Sequence, residues 1–315
     1  MIRRIAIYSI ALFYSIHIYA QFPDKVGTPS CDAIDANSTL IQSWAISSDI
    51  KRGRIFIADT LADFASFGIS NNALGKADNR VISLGDGGIA TLTFHKPIVD
   101  GPGADFAVFE NSFEDHFLEL AFVEVSSDGI NFIRFPAISN TQDSIQIGTF
   151  DYIKDICGLH NLAGKYKTGY GTPFDLSELK NHPDLNINAI THIRIIDIIG
   201  SIDDQYASKD SRGKKINDPW PTPFETCGFD LDAIAVINQQ DIQDVQVFPN
   251  PLQRGSNLQL NFPNLNCITK IYSYGGQLIY EGEISDINTS TFLIGSYILI
   301  TTINNEMHRT KFTVR

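Results

Sequence analysis

The stretch VISLGDGGIATLTFHKPIVDGPGADFAVF, residues 81–109, decides the fold class. It contains three short runs rich in Val, Ile, Phe and Thr, and two glycine-rich breaks separate them. β-Branched and aromatic residues favour strands, and glycine supplies the positive φ values that tight turns need. Asp86-Gly87-Gly88 and Gly101-Pro102-Gly103 are therefore predicted to be turns between antiparallel strands.

The same alternation of strand-forming runs and turns extends over residues 21–240. Seven or more short antiparallel strands predict an all-β domain with a jelly-roll β-sandwich. With 315 residues and 43% hydrophobic content, the chain is long enough for this domain and a smaller one. Strands are predicted at Val81–Leu84, Ile89–Phe94, Phe106–Phe109, Ala121–Ser126, Phe132–Phe135, His192–Asp197 and Phe229–Val236, and short helices at Ile41–Ile46 and Leu61–Phe64.

The N-terminus has the pattern of a secretory signal peptide. Two arginines precede the apolar run of residues 5–19, which polar residues interrupt and which is too short for a membrane span. Cleavage is expected between Ala20 and Gln21. The sequence therefore predicts that residues 1–20 are removed and that the mature protein has no transmembrane span.

Residues 241–315 are predicted to form a second, smaller domain, a small Ig-like β-sandwich made of short strands. This segment resembles the type A sorting domain of type IX secretion in Bacteroidetes, because several motifs occur in the same order. They are a strand ending in Phe248-Pro249-Asn250-Pro251, the run Ile271-Tyr272-Ser273, Gly295 with Tyr297, and a basic last strand with Lys311. The resemblance implies export through the outer membrane and recognition of this domain by the type IX secretion machinery.

Most of the central domain resembles a family of bacterial cell-surface proteins, through segments that include residues 84–88, 101–111, 122–129 and 228–233. That family is similar to galactose-binding-type jelly rolls. The resemblance implies a fold and a location, and it implies no activity. Together with the two ends of the chain, it predicts a protein that passes through the periplasm and is secreted or held on the outer cell surface.

Charge and motifs limit the classes of function. The formal net charge of −12 argues against nucleic-acid binding, because phosphate backbones would be repelled. Neither a zinc-hydrolase motif, a Gly-x-Ser-x-Gly motif nor a phosphate-binding loop is found in the sequence. These observations favour a non-enzymatic module that binds or adheres to glycan or a surface polymer. Two alternatives stay open, a carbohydrate-active hydrolase and a purely structural surface protein.

Acidic residues on strands and at strand ends form a candidate calcium site. In Phe229–Ala233 two carboxylates alternate with apolar residues, so both are expected on one face of a strand, with Phe229, Leu231 and Ala233 on the other. Calcium prefers six to eight oxygen ligands, and an ion here would be structural. The candidate ligands are Asp105, Glu110, Asn111, Asp197, Asp230 and Asp232. A solvated face, or salt bridges to Lys165 and Arg194, is the alternative.

Aromatic residues in two loops form a candidate ligand-binding surface. The loop of residues 218–224 contains three prolines, which stiffen it and hold its aromatic rings ready for stacking against sugars. The candidate ligand-binding residues are Trp220, Phe224, Tyr166 and Tyr170. The alternative is that these rings close the end of the sandwich.

The four cysteines are spaced too widely for a zinc ribbon or a redox Cys-x-x-Cys pair. Cys157 and Cys227 both lie in predicted loops, and an exported protein can hold a disulfide. They are the candidate pair, and free buried thiols are the alternative.

Overall fold

The computed structural model describes residues 22–240, 245–260, 268–283, 287–303 and 306–315. The predicted cleavage site at Ala20 and Gln21 lies outside the described residues, and so does Cys267. Within these ranges every regular element is a β-strand or a short 3₁₀ turn. The predicted all-β fold class is therefore confirmed.

The central domain contains thirteen strands in two principal sheets and one short pair. They are β1 (Ile34–Asp35), β2 (Ser43–Trp44), β3 (Ser47–Lys51), β4 (Ile82–Ser83), β5 (Ile89–Ile98), β6 (Phe106–Glu110), β7 (Ala121–Ser126), β8 (Ile133–Arg134), β9 (Ile138–Ser139), β10 (Leu159–His160), β11 (Tyr170–Phe174), β12 (Ile190–Asp197) and β13 (Asp230–Val236). The 3₁₀ turns of this domain are Ser70–Ala73, Ile156–Gly158 and Leu176–Leu179.

The first sheet has the order β1-β11-β6-β13-β2, with β4 also paired to β13, and the second has the order β3-β5-β12-β7-β8. Neighbouring strands in both sheets are antiparallel. Along the chain, β4, β6, β11 and β13 of the first sheet alternate with β5, β7–β8 and β12 of the second. This order, with its two Greek keys, is that of a jelly roll.

The main hydrophobic core lies between the two sheets, because apolar residues recur at every second position of the facing strands. Phe106, Phe135 and Phe174 fill one part of it, with ring centroids 5.1–5.9 Å apart. A fully buried aromatic side chain of this kind contributes about 2–3 kcal/mol through its loss of contact with water. A second apolar cluster covers the outer face of the first sheet and includes Ala107 and Phe109.

A β-bulge in β13 changes which residues face the core. The pairing of β13 with β6 shifts between Leu231 and Ala233. Phe229 and Leu231 belong to the main core, as strict alternation predicts, whereas Ala233 packs on the opposite face of the sheet. The extra residue of a bulge reverses the alternation beyond it, so the prediction for Ala233 was wrong.

The two predicted short helices are also absent from the described residues. Ser43–Trp44 in the first predicted helix forms β2 and pairs with Ala235 and Val236 of β13. Residues 61–64 form a turn and an isolated bridge between Phe64 and Arg54. In both segments pairing with neighbouring strands outweighs a weak local preference for helix.

The C-terminal domain is a smaller β-sandwich. Its strands are β14 (Val247–Phe248), β15 (Gln259–Leu260), β16 (Ile268–Ser273), β17 (Leu278–Glu283), β18 (Gly295–Ile303) and β19 (Glu306–Val314), with a 3₁₀ turn at Thr289–Thr291. β14 pairs with β15, and the other four form a sheet in the order β17-β16-β18-β19. The two sheets enclose a separate core that includes Leu252, Leu299 and Phe312. Across the described parts of the chain, the structure contains no helix that is long and apolar enough to cross a membrane.

Candidate functional site

A cavity of about 330 Å³ lies at the end of the jelly roll where β6 ends and β7 and β13 begin. Glu110 is the last residue of β6, Asp230 is the first of β13, and Glu119 comes two residues before β7. Four loop segments complete the walls. The lining residues are Phe67, Glu110, Asn111, Ser112, Phe113, Phe117, Glu119, Thr149, Phe150, Thr222, Phe224, Thr226 and Asp230. We call this cavity the acidic aromatic pocket.

The three carboxylates of the acidic aromatic pocket have different hydrogen-bond environments. Glu110 is 2% exposed, and its Oε2 accepts a hydrogen bond of 2.8 Å from the Ser112 amide. Asp230 is 9% exposed and accepts a short hydrogen bond from the Ser83 hydroxyl. Glu119 is half-buried, and among the described residues no hydrogen-bond donor contacts its carboxylate. Glu119 thus offers the pocket an acceptor that the protein itself does not use.

Burial raises the pKa of all three carboxyl groups. Withdrawal from water is the largest cause for each, and the neighbouring Asp230 charge adds to it for Glu110 and Glu119. The pKa of Asp230 rises to about 7, opposed by its hydrogen bond from Ser83 and by the charge of Arg52. The protonated form of each group therefore persists to higher pH than that of an ordinary carboxyl group.

Exposed phenylalanine rings surround the mouth of the acidic aromatic pocket. Phe113 is 81% exposed, Phe150 is 73% exposed and Phe224 is 46% exposed. The rings of Phe150 and Phe224 stack with centroids 6.0 Å apart. A group of exposed aromatic rings beside a cavity is unfavourable for a free protein and is typical of a binding surface.

Of the four predicted ligand-binding residues, Phe224 lines the acidic aromatic pocket, and the other three lie elsewhere. Trp220 packs against Phe56 and Tyr206, and its Nε1 donates a 3.2 Å hydrogen bond to Asp86. Its ring is therefore held by the fold.

The two predicted tyrosines do not line the acidic aromatic pocket. Tyr166 is 2% exposed and donates a short hydrogen bond to Asp32, so it cannot present a ring to a ligand, and that prediction was wrong. Tyr170 is half-buried in β11, where it stands opposite Asp35.

The predicted calcium ligands are not brought together as one set. Among the described residues, the acidic group of three or more whose ligand atoms lie within 4.8 Å of one another consists of Asp105 with Asp100 and Asp175. Asp105 is fully buried, and it accepts hydrogen bonds from the amides of Gly101 and Leu176. Glu110, Asn111 and Asp230 line the acidic aromatic pocket instead.

Asp197 and Asp232 accept hydrogen bonds from the backbone. Asp197 accepts from the amides of Gly87 and Phe229 at 2.9 and 2.6 Å. Asp232 accepts from the amides of Asp78 and Asn79, both at 3.1 Å. These carboxylates satisfy turn amides that would otherwise be unpaired, which accounts for their burial.

The sequence patterns did not single out Glu119, Phe113 or Phe150. The sequence did contain a signal for Glu119, because this residue stands between two leucines. In the structure Leu118 and Leu120 are both fully buried. A carboxylate between two buried leucines is difficult to place in a solvated loop. Phe113 and Phe150 carry no comparable local signal, since only the fold brings their loops together.

The predicted disulfide between Cys157 and Cys227 is not formed. Cys227 is a buried free thiol that accepts a 3.3 Å hydrogen bond from the Thr222 hydroxyl. Cys157 lies in a 3₁₀ turn, where its carbonyl accepts a hydrogen bond from the Phe22 amide. The two loops look alike in sequence, but the fold gives their cysteines different neighbours.

A second cavity, of about 700 Å³, lies beside β11 and is lined by residues that include His160, Lys165, Asp175 and Glu178. Lys165 is 4% exposed, and its ammonium donates a 2.8 Å hydrogen bond to the Leu159 carbonyl. Burial lowers the pKa of Lys165 to about 8. This cavity mixes basic with acidic groups, whereas the charged residues described in the lining of the acidic aromatic pocket are all acidic.

In the C-terminal domain, the predicted sorting motif lies along the last strand. Asn250 donates a 3.2 Å hydrogen bond to the Lys311 carbonyl and accepts one of 3.2 Å from the Thr313 amide. Phe248 is 42% exposed, and Pro249 and Pro251 are exposed as well. Tyr297, two residues after Gly295 at the start of β18, is 5% exposed and stacks on Phe312. The motif is therefore partly core and partly surface.

Comparisons with known proteins bear on the C-terminal domain. Residues 246–315 match the family described as a secretion system C-terminal sorting domain. This sorting domain indicates a secreted or cell-surface protein that is targeted by type IX secretion, and it implies that the tail interacts with that machinery.

Among solved structures, the chain is similar to PorZ, an essential bacterial surface component of the type IX secretion system of Porphyromonas gingivalis. The identity is 17% and the TM-score is 0.20. The similarity covers 27% of this chain and 14% of PorZ. No curated protein matches the chain.

Proposed function

We propose that this exported chain is a surface module that binds glycan in the acidic aromatic pocket. In this proposal residues 21–240 form the binding domain and residues 241–315 form the sorting domain. The observation that carries it is the combination of three carboxylates with exposed phenylalanine rings around one cavity. The proposal also includes the resemblance of the central domain to jelly-roll proteins of the bacterial cell surface.

The chemistry of the pocket suits a sugar. A sugar ring presents apolar C–H faces that stack on aromatic rings, and hydroxyl groups that donate hydrogen bonds to carboxylates. The cavity volume of about 330 Å³ lies at the lower end of the range for small-ligand sites, which is about 300–1,000 Å³. One sugar unit of a longer glycan would fit such a space.

The walls of the pocket are held in place before a ligand arrives. The Thr149 hydroxyl donates a 2.6 Å hydrogen bond to the Pro221 carbonyl and joins two of the loops. The Phe67 amide donates a 3.1 Å hydrogen bond to the Glu225 carbonyl and joins a third. Little ordering entropy is then lost on binding, which favours affinity.

A carbohydrate-active hydrolase is the second candidate, because the same pocket contains carboxyl groups with raised pKa values. Glycoside hydrolysis uses one protonated and one ionised carboxyl group, and burial can keep the first protonated near neutral pH. Release of reducing ends from a bound glycan, lost in Glu110→Gln or Glu119→Gln, would favour the hydrolase. Binding of a glycan without release of reducing ends would favour the non-enzymatic binding module.

The binding proposal is tested with the purified full chain on a glycan array, followed by titration calorimetry with the glycans that bind. The double variant Phe150→Ala/Phe224→Ala is expected to lose at least about tenfold in affinity, since each ring contributes roughly 1 kcal/mol of stacking. Phe64→Ala is the matched control, because Phe64 is 55% exposed and does not line the pocket. An unchanged glycan profile in the folded double variant would refute the proposal and leave a purely structural surface protein.

A further inference from the structure

The charges around the acidic aromatic pocket are not balanced. None of the described residues that line it is a lysine, an arginine or a histidine. Arg52 is a nearby cation that acts on Asp230. Its guanidinium donates hydrogen bonds of 2.5–2.7 Å to the carbonyls of Phe67, Gly68 and Ser83. All three of these hydrogen bonds go to backbone carbonyls, and none goes to a carboxylate of the pocket.

Glu119 is the pocket carboxylate that is most affected by neighbouring negative charges. Burial is the largest cause of the raised pKa of its carboxyl group, and the charges of four neighbouring acidic residues follow in the order Asp230, Glu110, Asp218 and Asp197. Among the described residues its carboxylate has no hydrogen-bond donor, whereas Glu110 accepts one from Ser112. Like charges that are held together in a medium of low dielectric are relieved by a cation placed among them.

The aromatic part of the pocket favours the same kind of ligand. Five phenylalanines line it, and the face of an aromatic ring is electrically negative and attracts a cation within about 6 Å. Neutral sugars also stack on such rings and can donate hydrogen bonds to the carboxylates, but they bring no positive charge. An ammonium group interacts favourably with the rings and with the carboxylates at once.

We propose that the acidic aromatic pocket binds a positively charged amine of its glycan, so that its ligand is an amino sugar that is not acetylated on nitrogen. This inference rests on the glycan-binding function proposed above and specifies the chemical class of the sugar. Glu119 is the residue that recognises the amine, and the phenylalanine rings at the mouth flank it.

The experiment compares two oligosaccharides of equal length, one of glucosamine and one of N-acetylglucosamine, by titration calorimetry against the full chain at neutral pH. The glucosamine oligomer is expected to bind at least about tenfold more tightly, because only it carries the charge. Glu119→Gln keeps the shape of the side chain and removes its ability to ionise beside an ammonium group. It is expected to weaken binding of the glucosamine oligomer about thirtyfold and to leave that of the acetylated oligomer unchanged.

Two controls separate specific recognition from general attraction to an acidic protein. Glu178→Gln makes the same chemical change in the other cavity and is expected to have no effect. A lysine oligomer of equal charge is expected to bind much more weakly than the glucosamine oligomer. Thermal unfolding of each variant checks that the fold is retained.

Equal affinity for the two sugar oligomers, or equal binding of the lysine oligomer, would overturn the amine inference. So would retention of glucosamine binding in Glu119→Gln. If other glycans then still bind in a manner that depends on Phe150 and Phe224, the proposed glycan function stands without the amine. If no glycan depends on those two rings, both proposals fail.

Discussion

Replacement of Asp230 by asparagine should remove part of the pH dependence of the free energy of unfolding of the central domain. The pKa of Asp230 in the folded protein is about 7, raised from 3.8 mainly by burial. Because the folded value lies above the unfolded value, the native state keeps the proton where the unfolded chain has already lost it. The stability that this group contributes is present below about pH 4 and is lost as the pH rises through about 7.

The size of the effect follows from the shift. Roughly three pKa units at about 1.4 kcal/mol each give about 4 kcal/mol of stability lost between about pH 4 and pH 8. Asparagine cannot ionise. The free energy of unfolding of Asp230→Asn minus that of the parent should therefore rise by about 4 kcal/mol over this range. Any constant cost of changing the hydrogen bond with Ser83 cancels in that change.

Urea unfolding followed by tryptophan fluorescence is a suitable assay, because both tryptophans, Trp44 and Trp220, lie in the central domain. Asp128→Asn is the control. Hydrogen bonds from Asn131 and Ile130 lower the pKa of Asp128, so its contribution changes only in acid and its difference curve should be flat above about pH 5. A difference curve for Asp230→Asn that is flat within about 1 kcal/mol, or that falls with pH, would refute the argument.

Three further predictions concern other parts of the chain. Gly164→Ala should destabilise the central domain by about 3 kcal/mol or more, because the new Cβ would lie 1.9 Å from the Glu119 carbonyl oxygen. Gly169→Ala is the control, since Gly169 has the same φ of +81° but open space around it. Urea unfolding should show that Gly169→Ala lowers the free energy of unfolding by only about 1 kcal/mol. Asn250→Ala should lower the amount of protein exported by cells, measured by immunoblotting of the medium and cell surface, because two hydrogen bonds to β19 are lost; unchanged export would exclude a role for that contact. Structural calcium, if held by the Asp105 group, should raise the midpoint of thermal unfolding of the parent more than that of Asp175→Asn, and equal shifts would count against it.

The strands of the jelly roll could be predicted because their information is local. Ala121–Ser126 and Phe106–Glu110 are formed by runs of strand-favouring residues, each with a glycine turn on one side, and the structure places them within one residue of the predicted ends. The turn at Asp86-Gly87-Gly88 also holds, with a φ of +69° at Gly87. By contrast, the bulge that turns Ala233 away from the core arises from pairing with β6, which no property of β13 alone reveals.

The candidate site was less accessible to sequence reasoning, because it depends on residues that are distant along the chain. Asp230 was selected for its position on a strand, and it does reach the pocket. Trp220 was selected for its stiff loop, yet its ring is held by Phe56 and by a hydrogen bond to Asp86. The exposed ring of Phe150 sits in a loop with no distinctive pattern, and only tertiary structure brings it beside Phe224.

The acidic aromatic pocket reduces the stability of the free protein in two ways. Burying Glu110, Glu119 and Asp230 near one another costs free energy, as the raised pKa values show. Leaving Phe113 and Phe150 in water forgoes burial that would contribute about 2 kcal/mol for each ring. The free protein would be more stable with apolar residues in place of the three carboxylates and with polar residues in place of the two phenylalanines. At this pocket the fold departs from the pattern that favours stability, and a ligand that supplied a positive charge and an apolar face would correct both departures together.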